Sequence, residues 1–350
     1  MSIHGKGLIM NVTRMGLDIA KQVFQVHGVD EHNKVVLRKT LKRAQVLTFF
    51  ANLPPCRIGL EAGGGAHYGA RELTRLGHEV KLIAPQFVAP YRKSGKTGKN
   101  DRNDAEAIGE AVGRPNLRFV PLQSEEQQAV LTIHRARELA VSERTALVNQ
   151  IRGLLGEFGI VVAPGRERFE KELPIVLADW ENGLPDLARE TLTNLAARLR
   201  AVNEHVTGYD QRLQPLARDS EPARRVMAVE GIGPVTATAV VTTVGDGHEF
   251  HSGRAFAAWL GLTPRPSSSG GKSRLGGITK RGNEYLRRLF IHGARSVLRL
   301  TGSRTDRKSR WAEGVKGRRG ENIAAIALAA KHARILWALL TRGEAYQVAA

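Results

Sequence analysis

The chain has 350 residues, with 53 lysines and arginines against 34 aspartates and glutamates, a formal net charge of +19 and a pI near 10.6. So large a cationic excess serves a polyanion, nucleic acid first among them, while 42% hydrophobic and 25% charged residues suit two or three folded domains rather than a disordered tail. The single cysteine, Cys56, excludes an internal disulfide and any cysteine-cluster zinc site, which fits a reducing cytoplasm.

In chain order, MSIHGKGLIMNVTR has three apolar residues in a row, Leu8 to Met10, too few for the core of an export signal. RMGLDIA, QVFQVHGV and KVVLRKT are short, rich in Val, Ile and Leu, and divided by polar turns such as DEHNK, a pattern that predicts a three-stranded antiparallel meander. A helix over Ala44 to Asn52, a strand at CRIGLE, a helix over Tyr68 to Leu76 and a strand at HEVKLIA continue as βα alternation. A further helix is expected over Arg102 to Val112.

From Ser124 to about Ala217 the pattern becomes long-helical. Val130, Ile133, Leu139, Leu147, Ile151, Leu154 and Leu155 recur at roughly helical spacing, and a second helix is expected over Leu187 to Leu213. The link between them carries Pro164, Pro174 and Pro185 and reads as a Gly/Pro-rich connection. A third region opens near Glu221 with VEGIGPVTATAVV, passes through RPSSSGGKSRLGG, read as a flexible Ser/Gly loop, and ends in two apolar helices. Between Arg265 and Arg319 stand 16 cationic residues and 3 acidic ones, the densest polyanion-binding candidate in the chain. The most apolar run, Ile323 to Ala330, is cut by Lys331, so no membrane segment is expected.

KTGKNDRNDAEA sets Asp101 and Asp104 at i and i+3 near a helix start, on one face, directly after a run of cations. Upstream, Asp18 lies within the apolar strand GLDIA and Glu61 ends CRIGLE before AGGG. An acid within a strand is costly to bury unless paired or metal-bound. Four such acids from separate elements could hold divalent ions, with magnesium or manganese favoured by hard carboxylate oxygens, for a phosphodiester displacement. Helix capping by Asp101 and a helix-dipole role for Asp104 would account for the pair without chemistry. An acid on the first strand with others converging from later elements is the arrangement a RuvC-like or RNase H-like nuclease needs.

GLDIAK, GLEAGGG and KTGKNDRNDAEA, followed by GIGPVTATAVV, FAAWLGLTPR, SSGGKSRLGGITKRGNEYLRR and AAKHARILWALL, resemble the DEDD-type insertion-sequence transposases of the IS-one-ten family, and more closely its IS-eleven-eleven branch. The likeness runs from about Met15 to Tyr346. It implies an α/β plus α protein: a RuvC/RNase H-like domain at residues 12–120, a helical coiled-coil arm at 121–220 and a helical C-terminal transposase domain at 221–346. It matches Asp18, Glu61, Asp101 and Asp104 to the four metal-binding acids, and implies a nucleophilic serine within SSGGK, best matched by Ser268, with Ser269 one residue away. Read from the residues alone, no base for that serine is evident.

The implied activity is RNA-guided cleavage and rejoining of DNA through a serine-linked intermediate. The implied partners are donor and target DNA, a structured noncoding guide RNA from the element, and further copies of the chain, a dimer pairing into a tetramer. Lys96, Lys99 and Arg102 beside the acids, and Lys272, Arg274, Lys280 and Arg281 beside the serines, are the expected backbone contacts. Gly231 and Gly233 resemble a helix-hairpin-helix turn whose amides could meet a phosphate, although a tight turn between packed helices explains them equally well. A metal-dependent junction resolvase without a serine intermediate and a non-catalytic nucleic-acid-binding protein are the competing readings. SGKT at Ser94 to Thr97 lacks the earlier glycine of a phosphate-binding loop, where Pro90 stands, and HEFH at His248 to His251 is one residue short of a zinc-protease spacing.

Overall fold

The computed structural model describes residues 11–92, 101–269 and 272–347. Its contacts divide the chain into two compact units, residues 1–124 and 125–350. The first is built on a mixed sheet in the order β3-β2-β1-β4-β5-β6, formed by β1 (Arg14–Ile19), β2 (Val23–Val29), β3 (Val35–Lys42), β4 (Arg57–Glu61), β5 (Glu79–Ile83) and the short β6 (Phe119–Val120). The three strands expected from the opening sequence pair antiparallel, and β1, β4 and β5 run parallel. Helices α1 (Val46–Ala51), α2 (Ala66–Arg75), α3 (Pro85–Val88) and α4 (Asp101–Val112) complete the unit. Met15, Leu17, Ile58, Leu60, Leu82 and Phe50 fill its core, each almost wholly shielded from solvent. The edge strand β3 exposes Arg38, Lys39 and Lys42, cations that discourage pairing with another sheet.

One face of this sheet approaches α4 through glycine. Gly16 and Gly59 are neighbours in the β1/β4 register. A methyl group on Gly16 would stand 2.0 Å from the Ala105 carbonyl oxygen, and one on Gly59 would stand 2.8 Å from Val112 Cβ. The first obstacle is helix backbone, which no rotamer change relieves, so Gly16→Ala is expected to destabilise the unit by roughly 3 kcal/mol or more. Chemical denaturation with a probe confined to the first unit reads this directly; a loss within about 0.5 kcal/mol would contradict the close approach.

In the second unit α5 (Glu125–Gly156) and α7 (Asp186–Asp219) form an antiparallel pair. Their direction is fixed by ion pairs that join Arg137 to Asp210 and Glu143 to Arg198. Leu147, Ile151, Leu155, Leu192, Leu199 and Val202 line the seam. The connection between them is not a loop: α6 (Arg166–Ala178) occupies it, buries Phe169 and Leu173 against the pair, and contains Pro174. Helix α7 likewise runs six residues past the expected end at Leu213, through Pro215. A proline removes one backbone donor and costs helix stability, and here the packed apolar faces outweigh that cost.

The remaining elements are α8 (Glu221–Met227), α9 (Pro234–Val244), α10 (Gly253–Trp259), strands β7 (Pro264–Ser269) and β8 (Lys272–Ile278), α11 (Glu284–Leu298), α12 (Arg307–Arg319) and α13 (Glu321–Arg342). Helix α13 is long and apolar enough to cross a bilayer by length and composition. It serves instead as a core helix, burying Ala324, Leu328, Ala329, His332, Ala333 and Leu336.

Two buried histidines mark this unit. His134 of α5 lies 2.9 Å from the Tyr285 hydroxyl and 3.1 Å from Thr238 Oγ1. Because Thr238 donates to the Pro234 carbonyl, His134 Nε2 donates to Thr238 and its Nδ1 accepts from Tyr285, a tautomer assigned from the network. Burial, then Arg137 and Arg135, lower the His134 pKa to about 4; burial and then Lys308 lower that of His332 to about 4. Both bind protons more readily when unfolded, so their stabilisation is complete above the ordinary histidine pKa of 6.5 and is lost as pH falls towards 4. Thermal melts are expected to fall across that interval, by on the order of 3 kcal/mol per histidine at full protonation, and a melting temperature constant down to pH 4 would contradict it.

Candidate active site

Strand alternation decides where the acids point. Arg14, Gly16 and Asp18 share one face of β1, and Gly59 and Glu61 share that same face of β4. The parallel register pairs Leu17 with Leu60, and its continuation by one residue sets Asp18 beside Glu61 at the strand ends. Helix α4 crosses this face running against β1: Gly113 and Glu110 lie by Arg14, Gly109 and Ala105 by Gly16. Its first turn therefore approaches the ends that carry Asp18 and Glu61. Asp104 is 6% exposed, while Asp18 and Glu61 are half-buried.

Glu61 and Asp104 converge on one cation. The Arg92 guanidinium donates from Nη2 to Glu61 Oε2 at 3.1 Å, and its Nε stands 2.6 Å from Asp104 Oδ1. The second contact is an ion pair without hydrogen-bond alignment, since buried Arg92 Nε and Asp104 Oδ1 both lack an aligned partner. Among the described residues no three acidic, histidine or cysteine side chains meet as metal ligands do. The side chain of Asp101 and that of Arg102 lie outside the described residues, as do Lys96 and Lys99 altogether. The donors that are described suit a hard divalent ion: they are carboxylates, two of them already bridge one positive charge, and one buried oxygen is unsatisfied.

Sequence reasoning did not single out Arg92. It stands at the head of a cationic run, where nothing in residue type separates it from Lys93. A polar cleft of about 390 Å³ beside α4, lined by Gln25, Arg38, Lys39, Thr40, Asn103 and Glu106, was also not foreseen. Its cations come from a strand distant in sequence from α4.

The serine segment is a β-hairpin rather than the expected flexible loop, and it interrupts an otherwise helical region. Ser267 pairs with Arg274, Ser268 with Ser273 and Ser269 with Lys272. The side chains of Ser268, Ser269, Lys272 and Arg274 lie outside the described residues. Below the hairpin, Lys280 and Arg281 are exposed, and their backbone is fixed. Arg287, 8% exposed, donates to the carbonyls of Leu260 and Arg281, and Gly282, at φ +81°, passes so close to Trp259 that a Cβ would stand 1.7 Å from its carbonyl oxygen. The ladder from Ser267 to Arg274 thus rises from a locked base, which argues against unrestrained motion of the serine strand.

The turn between α8 and α9 separates its two glycines. Gly231, at φ +80°, abuts α11, where a methyl group would meet the Gly293 carbonyl oxygen at 2.5 Å. Packing therefore explains Gly231. Gly233 precedes Pro234 at the start of α9, and a Cβ there would meet nothing within 4 Å, so its side of the turn is open to a ligand. Glu230 in the same turn is held by Arg304 at 2.5 Å and Lys308 at 2.7 Å, and these cations, led by the Lys308 hydrogen bond, lower its pKa.

A sheet that gathers acids under a helix start, joined in sequence to a strongly cationic helical unit, describes a class of protein that acts on nucleic acid backbones. The family profile described as Transposase IS116/IS110/IS902 family matches residues 223–310, and the DEDD transposase profile of the IS110 group matches residues 15–160. A probable family 20 transposase of Pseudomonas aeruginosa is 52% identical over 97% of this chain and 99% of its own length. The transposase for insertion sequence element IS1111A of Coxiella burnetii is 45% identical over 96% of this chain and 92% of its own length. The transposase for insertion sequence element IS1328 of Yersinia enterocolitica is 40% identical over 96% and 99%. The chain belongs to the IS110/IS116/IS902 family of insertion-sequence transposases.

Proposed function

We propose that this transposase is an RNA-guided DNA recombinase that cuts and rejoins strands through a phosphoserine link. Residues 12–120 would form a RuvC-like domain, 121–220 a helical coiled-coil arm and 221–346 the C-terminal transposase domain. The sheet order, three antiparallel strands followed by two parallel ones, supports the RuvC-like assignment. The observation that carries the reading is the convergence of Glu61 and Asp104, at the strand ends that also bear Asp18, beneath the helix that starts at Asp101.

In this reading Asp18, Glu61, Asp101 and Asp104 hold magnesium or manganese. When bound, such ions stabilise charge on the oxygens that attack and leave phosphorus. Ser268 Oγ attacks the phosphorus, its proton passing to a base or water. The new Oγ–P bond replaces the P–O3′ bond, and the 3′ oxygen leaves with the electron pair and takes up a proton. Attack by a different 3′ hydroxyl reverses the exchange and restores Ser268. Lys272 and Arg274, across the hairpin from the serines, would steady the phosphoryl oxygens, and Lys280, Arg281, Lys96, Lys99 and Arg102 would hold the backbone. Gly233, where a Cβ would meet open space at the start of α9, would be a further phosphate contact. Guide RNA, held by shape and backbone charge, would select donor and target, and a dimer pairing into a tetramer would bring the two DNAs together.

Incubation of the full chain with the element's terminal DNA, its flanking transcript and magnesium tests the proposal. Transcript-dependent strand exchange through a protein-linked strand is expected. Free cut ends without protein linkage would replace it with a metal-dependent nuclease, and tight binding without any cut would leave a non-catalytic binder.

A further inference from the structure

We infer that Arg92 is an internal counter-ion that competes with the divalent metal and is withdrawn by nucleic acid phosphate, so that metal loading follows substrate binding. The inference rests on the carboxylate-metal reading and adds a regulatory role for a residue outside the four acids. Glu61 and Asp104 come from different elements, a strand end and a helix start, and the guanidinium reaches both, at 3.1 and 2.6 Å. A divalent ion on these same oxygens would bring a second positive charge within a few ångströms of the guanidinium, in a site where Arg92 and Glu61 are each only about a quarter exposed and Asp104 less than a tenth. The two cations therefore oppose each other.

The Arg92 contact is built to be exchanged rather than to lock. Its Nε stands close to Asp104 Oδ1 without a hydrogen bond's alignment, leaving both buried atoms short of a partner. A structural arginine in the same protein shows the contrast: Arg287 directs one nitrogen at two backbone carbonyls with hydrogen-bond geometry. A guanidinium matches the oxygens of one phosphate with its planar fork better than it matches single oxygens of two separate carboxylates. A DNA or RNA phosphate arriving at these strand ends would draw Arg92 away, and the carboxylates it leaves would then take the metal. By linkage, metal would equally tighten nucleic acid binding. Without substrate, the acids stay neutralised and the chain does not act as a stray nuclease.

The test is Mn²⁺ binding to the full, nucleic-acid-free protein, followed by the paramagnetic signal of unbound Mn²⁺. Arg92→Gln is expected to bind Mn²⁺ at least about tenfold more tightly than the natural chain, and Arg92→Lys, which keeps the charge, to remain near it. Short duplex DNA, after correction for Mn²⁺ held by DNA alone, is expected to tighten Mn²⁺ binding to the natural chain by a similar factor and to Arg92→Gln far less. The inference is overturned if Arg92→Gln binds Mn²⁺ no better while Asp104→Asn abolishes binding, for the metal site would then stand without the gate. If Asp104→Asn leaves Mn²⁺ binding intact, the metal reading itself fails, and the inference with it. The DNA effect on the natural chain needs no variant: its absence also overturns the proposal, whatever the variants' stability.

Discussion

Asp104→Asn is expected to lower strand transfer roughly a thousandfold or more while leaving the fold and metal-free DNA binding in place. Asparagine has nearly the shape of aspartate, so the packing of the buried helix residues Ala105, Ala107 and Ile108 need not change. What disappears is one negative charge at a position 6% exposed, where a divalent ion would have least help from water. Arg92 would then face Glu61 alone, which strengthens its hold there and weakens metal binding further. Thermal melting beside a strand-transfer assay separates the two effects. Normal transfer by a folded Asp104→Asn protein would return Asp104 to the role of a helix-dipole residue.

Ser268→Ala is expected to abolish protein-linked DNA, with transfer reduced by about a thousandfold or more, because alanine has no hydroxyl to conserve the phosphodiester bond energy. Ser267→Ala is the control that should keep the link. The comparison is sharp because Ser267, Ser268 and Ser269 are consecutive on β7, with distinct cross-strand partners. A one-residue slip in the assignment would make Ser269 the nucleophile, and Ser269→Ala would lose the link while Ser268→Ala kept it.

Much of the fold was legible because its periodicity was local. The alternation in RMGLDIA and QVFQVHGV announced β1 and β2, and Asp18 was conspicuous as an acid in an apolar strand. Helix α4 begins one residue before the helix expected over Arg102 to Val112 and ends where that one does. Three features were hidden for distinct reasons. Pro174 reads as part of a connection and the second long helix as ending before Pro215, yet both helices continue through their prolines, α6 with Phe169 and Leu173 buried and α7 with Leu213 and Ala217 buried on either side. The serine segment has the composition of a loop, and only cross-strand pairing makes it a hairpin. The glycines at 16 and 59 looked like ordinary members of strands, whereas their purpose is the approach of α4, a tertiary fact with no sequence period.

The site divided along similar lines. Carboxylates in strands and beside a cationic run stand out in a basic chain, so Asp18, Glu61, Asp101 and Asp104 could be put forward from sequence as candidates, with the matched motifs as their support. Arg92 could not, because one arginine in a cationic run gains meaning only from the two acids it touches. Gly231 and Gly233 carried one sequence signal and have two roles, one pressed against Gly293 and one open.

The most direct measurement is mass spectrometric mapping of the protein–DNA link, trapped from the element's terminal DNA in the presence of magnesium and the flanking transcript. The account predicts a single nucleotide-bearing peptide containing the β7 serines, with a 5′ phosphate esterified to Ser268. Cut DNA with no such peptide, or a link on a residue outside Ser268 and Ser269, would contradict it.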